Sequence, residues 1–330
     1  MSIQETNLKA IADAIRAKLG TTDAIKASQF ATKIGEISTG VAKPSWVKST
    51  LPAKTNWISV CFGDGKFIAI STDAKVAYST DGITWTQATL PTITNASWKS
   101  VCYGNGKFVA VSNDVAAAYS TDGMTWTQTT MPGSRSWSSV CYGNGKFVAV
   151  CASAMLPAYS SDGVTWTSAR LPVTATWLSV CYGNGKFVAI ANNKVAAYST
   201  DGIAWTQATL PASSTWSSVC YGNGKFVAVS GSGSVAAYST DGVNWIVSFL
   251  PDVSQPGWTV CYGNGKFVAM SVIMKVAAYS TDGIHWTQMS VAMYSGWYSV
   301  CFGDGKFVAT AFSSSSLIAA YLKDSFDEWA

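Results

Sequence analysis

Cysteine recurs at one phase along this chain. Cys61, Cys102, Cys141, Cys181, Cys220, Cys261 and Cys301 are separated by 41, 39, 40, 39, 41 and 40 residues. Around each, the sequence repeats W-x-S-V-C-Y-G-N-G-K-F-V-A-V, a variable stretch, and then A-A-Y-S-T-D-G-x-T-W-T-Q-A-T-L-P. A period near forty is shared by propeller blades and helical solenoids. The residue types decide between them. Val, Tyr, Phe, Thr and Trp dominate, apolar positions alternate with period two, and glycine-containing turns interrupt each run. In the first unit this reads as strand A over 57–62, a tight turn at 63–65 and strand B over Lys66–Ser71. Strand C then runs to about Ser79, Asp81-Gly82 opens a turn, and strand D extends from near Trp85 to before Pro91. Four antiparallel strands make one blade, so the prediction is an all-β, seven-bladed β-propeller over 41–330.

Ring closure is a separate inference. Trp46-Val47-Lys48-Ser49-Thr50-Leu51-Pro52 matches Trp85-Thr86-Gln87-Ala88-Thr89-Leu90-Pro91, so it reads as a strand D without its own blade. The seventh unit reaches Trp329 without a strand D of its own. Residues 46–51 are therefore expected to complete the last blade, which removes two unpaired edges.

Composition narrows the partners. Charged residues are 12% of the chain against 48% hydrophobic, which argues against disorder. The net charge of +4 is spread evenly, with six Lys or Arg against four acids in 1–45 and sixteen against fourteen beyond, so nucleic acid is not expected as a partner. The start MSIQETNLKAI lacks a signal-peptide pattern and no apolar run is long enough for a bilayer. Folding in a cytoplasm, without membrane insertion, is the expectation.

The in-phase cysteines lie on neighbouring packed sheets ~10 Å apart, whereas a bridge needs Cα atoms ~4.4–6.8 Å apart. They are read as reduced, small apolar fillers. Cys151, at the end of a strand B, is read as a thiol open to solvent.

Residues 1–40 read as a helical segment. Leu8, Ile11, Ile15 and Leu19 form one apolar stripe, Gly20 stops the helix, and a second helix over 28–37 turns Phe30 and Ile34 inward. A Gly/Pro-containing linker covers 38–45. So small a stripe must pack on something: the propeller's flank, another protein, or a second copy in a homo-oligomer.

Antiparallel order puts the A–B and C–D turns at one end of the ring. The B–C loops and D–A connections lie at the other. The first end barely varies, and its lysines (Lys66, Lys107 and their equivalents) interleave with aspartates such as Asp81, Asp122 and Asp162, which reads as a solvated rim. The second end diverges from blade to blade, as at Lys75, Asn113, Asn192 and Asn193, and binding loops are usually distributed in this way. Beside that rim lie the strand-A tryptophans Trp57, Trp98, Trp137, Trp177, Trp216, Trp258 and Trp297. They are ligand candidates by stacking on sugar rings, or they fill the wedge between blades. Trp258 stands three residues before its cysteine rather than four, which predicts that it faces the opposite side of its sheet.

Catalytic groups are sparse. The sole histidine, His285, sits in a turn beside Trp286, and the glutamates are Glu5, Glu36 and Glu328. The propeller carries only Arg135 and Arg170, which is too few for a sialidase-like carboxylate site. No zinc pattern or phosphate loop is present, so no cofactor, metal or enzymatic activity is expected.

Two resemblances add to this reading. Tyr78-Ser79-Thr80-Asp81-Gly82-Ile83-Thr84-Trp85 resembles the Asp-box hairpin of sialidase-like propellers, although Asp81 and Gly82 are adjacent where that motif has an intervening residue. The G-N-G-K-F-V-A-V and Y-S-T-D-G-x-T-W blade is similar to repeats in tail proteins of tailed bacteriophages. Residues 7–22 are similar to the N-terminal segment of phage tail and baseplate-associated proteins. The resemblance implies a non-catalytic receptor-binding tail protein of the virion, assembled in the host cytoplasm. It would recognise a host surface glycan and bind other tail proteins through 1–40. Alternatives are a purely structural tail propeller and a bacterial lectin.

Overall fold

The computed structural model describes residues 12–14, 16–17, 46–93, 97–152, 155–251, 257–272, 275–291, 296–312 and 317–323. The chain divides into two units, Met1–Ser45 with Asp324–Ala330, and Trp46–Lys323. In the first, residues 12–14 and 16–17 are helical; the rest of that expected helix and the whole of 28–37 lie outside the described residues.

The second unit is a seven-bladed β-propeller, with seven sheets of four antiparallel strands each. Blade one runs through strand A (Trp57–Gly63), strand B (Lys66–Ser71), strand C (Lys75–Ser79) and strand D (Thr86–Thr89). The other strands A are Trp98–Gly104, Trp137–Gly143, Trp177–Gly183, Trp216–Gly222, Trp258–Gly263 and Trp297–Gly303. Each touches strand A of both neighbouring blades, the last meeting the first, so these strands form the innermost ring.

The ring closes as the Trp46–Pro52 match predicts. Strand Trp46–Thr50 pairs antiparallel with strand C of the last blade, Ile318–Lys323, in the register Trp46↔Leu322 to Thr50↔Ile318. Trp46 is buried and fills the position held by Trp85 and Trp126 in the first two blades. Trp329 lies outside the described residues.

Small residues meet large ones across every inner seam. Ser59, Cys61 and Gly63 face blade two: the Val101 N–H donates to Ser59 Oγ at 3.1 Å, and Cys61 packs in the cluster that holds Val101 and Tyr103. A Cβ on Gly63 would lie 2.0 Å from Tyr103 Cγ. The valine–serine bond recurs around the ring, closing with Val60 N–H to Ser299 Oγ at 3.0 Å. The inner edge of strand A would otherwise leave those amides unpaired, so the serines satisfy them. None of the eight cysteines is in a disulfide, and Cys151 is fully buried, contrary to the solvent-open expectation, because it closes strand B under Trp137.

The turns explain the rest of the repeat. Asn105 and Gly106 have φ of 47° and 71°, the left-handed pair of a two-residue hairpin. The Asn105 side-chain amide then donates to Ser161 O of the next blade's C–D turn, which places both turn types at one end. In the C–D turn Ser120 donates to Asp122, and Asp122 Oδ1 accepts the N–H groups of Met124 and Thr125, both at 2.7 Å. The same pattern recurs at Asp81, Asp162, Asp201, Asp241 and Asp282. The N–H groups of Thr125 and Met124 hold the Asp122 carboxyl down at about 2. A carboxyl lowered in the folded state contributes stability that is complete above its unfolded value near 4 and is lost as pH falls towards 2. The melting temperature should therefore hold from pH 7 to 5 and fall between pH 4 and 2. Asp122→Asn, which no longer titrates, should lose less across that window when melts are followed by circular dichroism. An unchanged melting temperature down to pH 2 would remove these turns from the stability account.

Candidate binding site at the channel mouth

The strand-A tryptophans are core. All seven are fully buried, and Trp57 packs with Leu51, Val60, Trp85 and Val308 across the seam to the previous blade. None offers a ring face to a sugar as the propeller stands. Removing one such ring costs about 3–5 kcal/mol, so tryptophan variants would report folding before binding.

Trp258 does not face the opposite side, and the reason locates the site. Six strands A carry a β-bulge after the tryptophan: Trp57 pairs with Ser71, yet Ser59 pairs with Ile70, which leaves Ile58 extra. Bulges at the same place in the other blades free Lys99, Ser138, Leu178, Ser217 and Tyr298. Blade six has none, because Trp258↔Ser271 is followed directly by Thr259↔Met270. Trp and Val thus share a face with or without the extra residue. A bulge inserts one residue and re-aims it out of the ladder.

Those six extra residues converge. Ile58, Lys99, Ser138, Leu178, Ser217 and Tyr298 all line one cavity of about 500 Å³ at the start of the strands A, where the inner ring opens on the B–C/D–A end. Beneath them a ring of hydroxyl residues, Ser59 to Ser299 with Thr259 in blade six, forms the wall. The invariant repeat therefore presents five different residues over six equivalent positions: Ile, Lys, Ser, Leu, Ser and Tyr. Ser138 and Ser217 turn their hydroxyls inward, donating to Trp177 O and Trp258 O at 2.7 Å. Tyr298 instead stays 44% exposed and stacks, tilted, 5.2 Å from Phe312, itself 41% exposed. An accessible aromatic pair beside hydroxyls and one ammonium suits a ligand with both apolar and polar faces.

The other predicted residues lie apart from this cavity. Lys75 opens strand C of blade one, half-buried, with its N–H on Ser71 Oγ. Asn113 uses Oδ1 to accept the Ser97 N–H at 2.6 Å, so its amide is a loop brace. Asn192 donates its N–H to Thr176 O. Asn193 is exposed with φ of 66°, and its carbonyl accepts the Trp216 indole N–H at 2.8 Å. Of the tryptophans, Trp137 and Trp258 border the cavity. Sequence reasoning missed Ile58, Lys99, Leu178, Tyr298 and Phe312, although the x of W-x-S-V-C marked four of them.

The remaining chemistry is muted. Burial pushes the Cys61 thiol far above its ordinary range, as it does around the ring, so these sulfurs are poor nucleophiles. His285 is exposed in its turn with Nδ1 2.7 Å from Asp282 Oδ2, at the end away from the cavity. Among the described residues no cluster of His, Cys, Asp or Glu could hold a metal ion. No described helix is long and apolar enough to cross a membrane.

Comparison with known proteins supports the architecture alone. No protein-family model and no curated protein sequence matches the chain. Solved propellers do. Virginiamycin B lyase from Staphylococcus aureus, with quinupristin, superposes with a TM-score of 0.76 at 14% identity, covering 85% of this chain and 99% of that one. A streptogramin B lyase gives 0.75 at 12% identity over 84% and 96% of the two chains. YCF48 bound to D1 peptide gives 0.67 at 16% identity over 86% and 97%. The chain is similar to these proteins in fold.

Proposed function

We propose that this chain is a non-catalytic receptor-binding propeller of a phage tail, recognising a host surface glycan at the B–C/D–A rim. The binding site is the bulge ring at the channel mouth rather than the tryptophan ring. One observation carries the reading: side-chain choice varies at the six bulges while the surrounding W-x-S-V-C frame stays fixed. The opposite rim is tied down, with Asn105 bonded to the next blade and Lys66 and Lys306 held by Asp64 and Asp304. Residues 1–40 fit the attachment role through their similarity to tail-protein N-termini.

Two measurements test this together. Labelled antibody against the chain should decorate the tail in electron micrographs of the source particle. Tyr298→Ala with Phe312→Ala should abolish cell binding, whereas Lys66→Ala with Lys107→Ala should leave it intact. Loss in the lysine pair alone would reverse the faces. Loss in neither, with tails still decorated, would favour a structural tail protein. That second reading has its own support: strand D of blade five, Ile246–Phe249, exposes Ile246, Val247 and Phe249 where blade one has Thr-Gln-Ala-Thr. Exposed apolar edge strands suit protein partners.

A further inference from the structure

The bulge ring is not uniform around its circumference, and its asymmetry speaks to ligand charge. Blades seven, one and two contribute Tyr298, Ile58 and Lys99 in succession, so an aromatic, an aliphatic and a cationic side chain occupy one continuous arc. Phe312 extends the aromatic end. On the rest of the ring, beginning next to Lys99, Ser138 and Ser217 have their hydroxyls committed to neighbouring carbonyls. Lys99 is the sole charged residue among the described ones lining the cavity, and no described ion pair involves it. A further cation, Arg135, precedes the lining residue Ser136 and lies 5.7 Å over the Trp137 ring. The nearby carboxylate, Asp114, is engaged by the Ser134 hydroxyl. A cavity that pairs one unneutralised ammonium with an exposed aromatic face attracts an anion carried on a largely apolar ring face.

We infer that the channel mouth takes an anionic saccharide, its sugar face against Tyr298 and Phe312 and its charged substituent on Lys99. This deepens the receptor reading and rests on it. The anionic group is a carboxylate, as in a hexuronate, or a phosphate, as in a teichoic acid, and both satisfy a lysine acting as a point charge.

The test uses the full chain in titration calorimetry against four probes. These are oligogalacturonate, its neutral methyl ester, a glucosylated glycerol-phosphate teichoic acid and dextran. The parent should bind one of the two anionic probes, weaken as salt rises, and ignore the methyl ester and dextran. Lys99→Ala should raise Kd about tenfold or more, since a hydrogen bond to a charged group is lost. Lys99→Gln, which keeps a donor without charge, should lose the salt dependence. Tyr298→Ala should weaken binding without changing the salt slope. The uronate and phosphate arms identify the source of the anion. Equal binding of the ester, an unaffected Lys99→Ala variant, or binding of neither anionic probe would overturn the inference. The first two outcomes leave the rim assignment standing. If the chain binds no cells either, the receptor reading fails with it.

Discussion

Deleting residues 1–50 should lower the melting temperature by roughly 10–20 °C relative to deleting 1–45. The difference isolates one strand. Without Trp46–Thr50, the Ile318–Lys323 strand becomes an open edge, and buried Trp46 loses its place. Ser49 is lost as well, and its hydroxyl donates to Ile83 O at 2.7 Å while accepting the Trp85 indole N–H at 2.9 Å. One large buried side chain is worth about 3–5 kcal/mol and each buried hydrogen bond about 1 kcal/mol. For a domain near this size, each kcal/mol moves the midpoint by about 2–4 °C. Differential scanning calorimetry of the two truncations makes the comparison. Equal melting temperatures would mean that the ring does not depend on its N-terminal strand.

The second large effect is expected from a single methyl group. Gly104→Ala would place Cβ 2.0 Å from Tyr142 Cγ, at the root of the ring, where rotation about χ2 brings no relief. Both residues belong to the inner ring, whose spacing is fixed by the blades on either side. Overpacking costs about 1–3 kcal/mol and sometimes more, and this contact calls for the upper end, a fall of roughly 5–10 °C. Gly106→Ala is the contrast. It meets nothing within 4 Å but keeps φ at 71°, so its cost of about 1–2 kcal/mol is backbone strain alone. Adding Tyr142→Ala to Gly104→Ala should recover part of the loss, and a double-mutant cycle over the four proteins measures the coupling. A Gly104→Ala variant as stable as the parent would mean that the inner seam is looser than described.

Most of the architecture was legible because it rests on local signals that repeat. The Asn-Gly and Asp-Gly pairs marked the turns, the short apolar run of K-F-V-A-V marked strand B, which is buried on both faces, and the stray W-V-K-S-T-L-P copy foretold closure. The site was less legible because it depends on a departure from period two. Counting from Cys261 back to Trp258 suggested a reversed tryptophan, when the other six strands were the irregular ones. A bulge leaves no composition signature, since Ile58, Lys99 and Tyr298 share no chemistry. Their dissimilarity inside a fixed frame was the available signal. Asn113 and Asn193 also vary between blades, yet the Asn113 side-chain oxygen is spent on the Ser97 N–H and the Asn193 backbone carbonyl on the Trp216 indole of the next blade.

The central claim is that the bulge residues form the binding surface while the fixed repeat only holds them. Replacing Lys99, Leu178 and Tyr298 together by Ser, the residue already present at positions 138 and 217, tests it most directly. The substituted chain should melt within about 5 °C of the parent, since none of the three is fully buried. It should also lose binding in a flow-cytometric assay on cells that the parent binds. Retained binding by this variant, with the fold intact, would contradict the account.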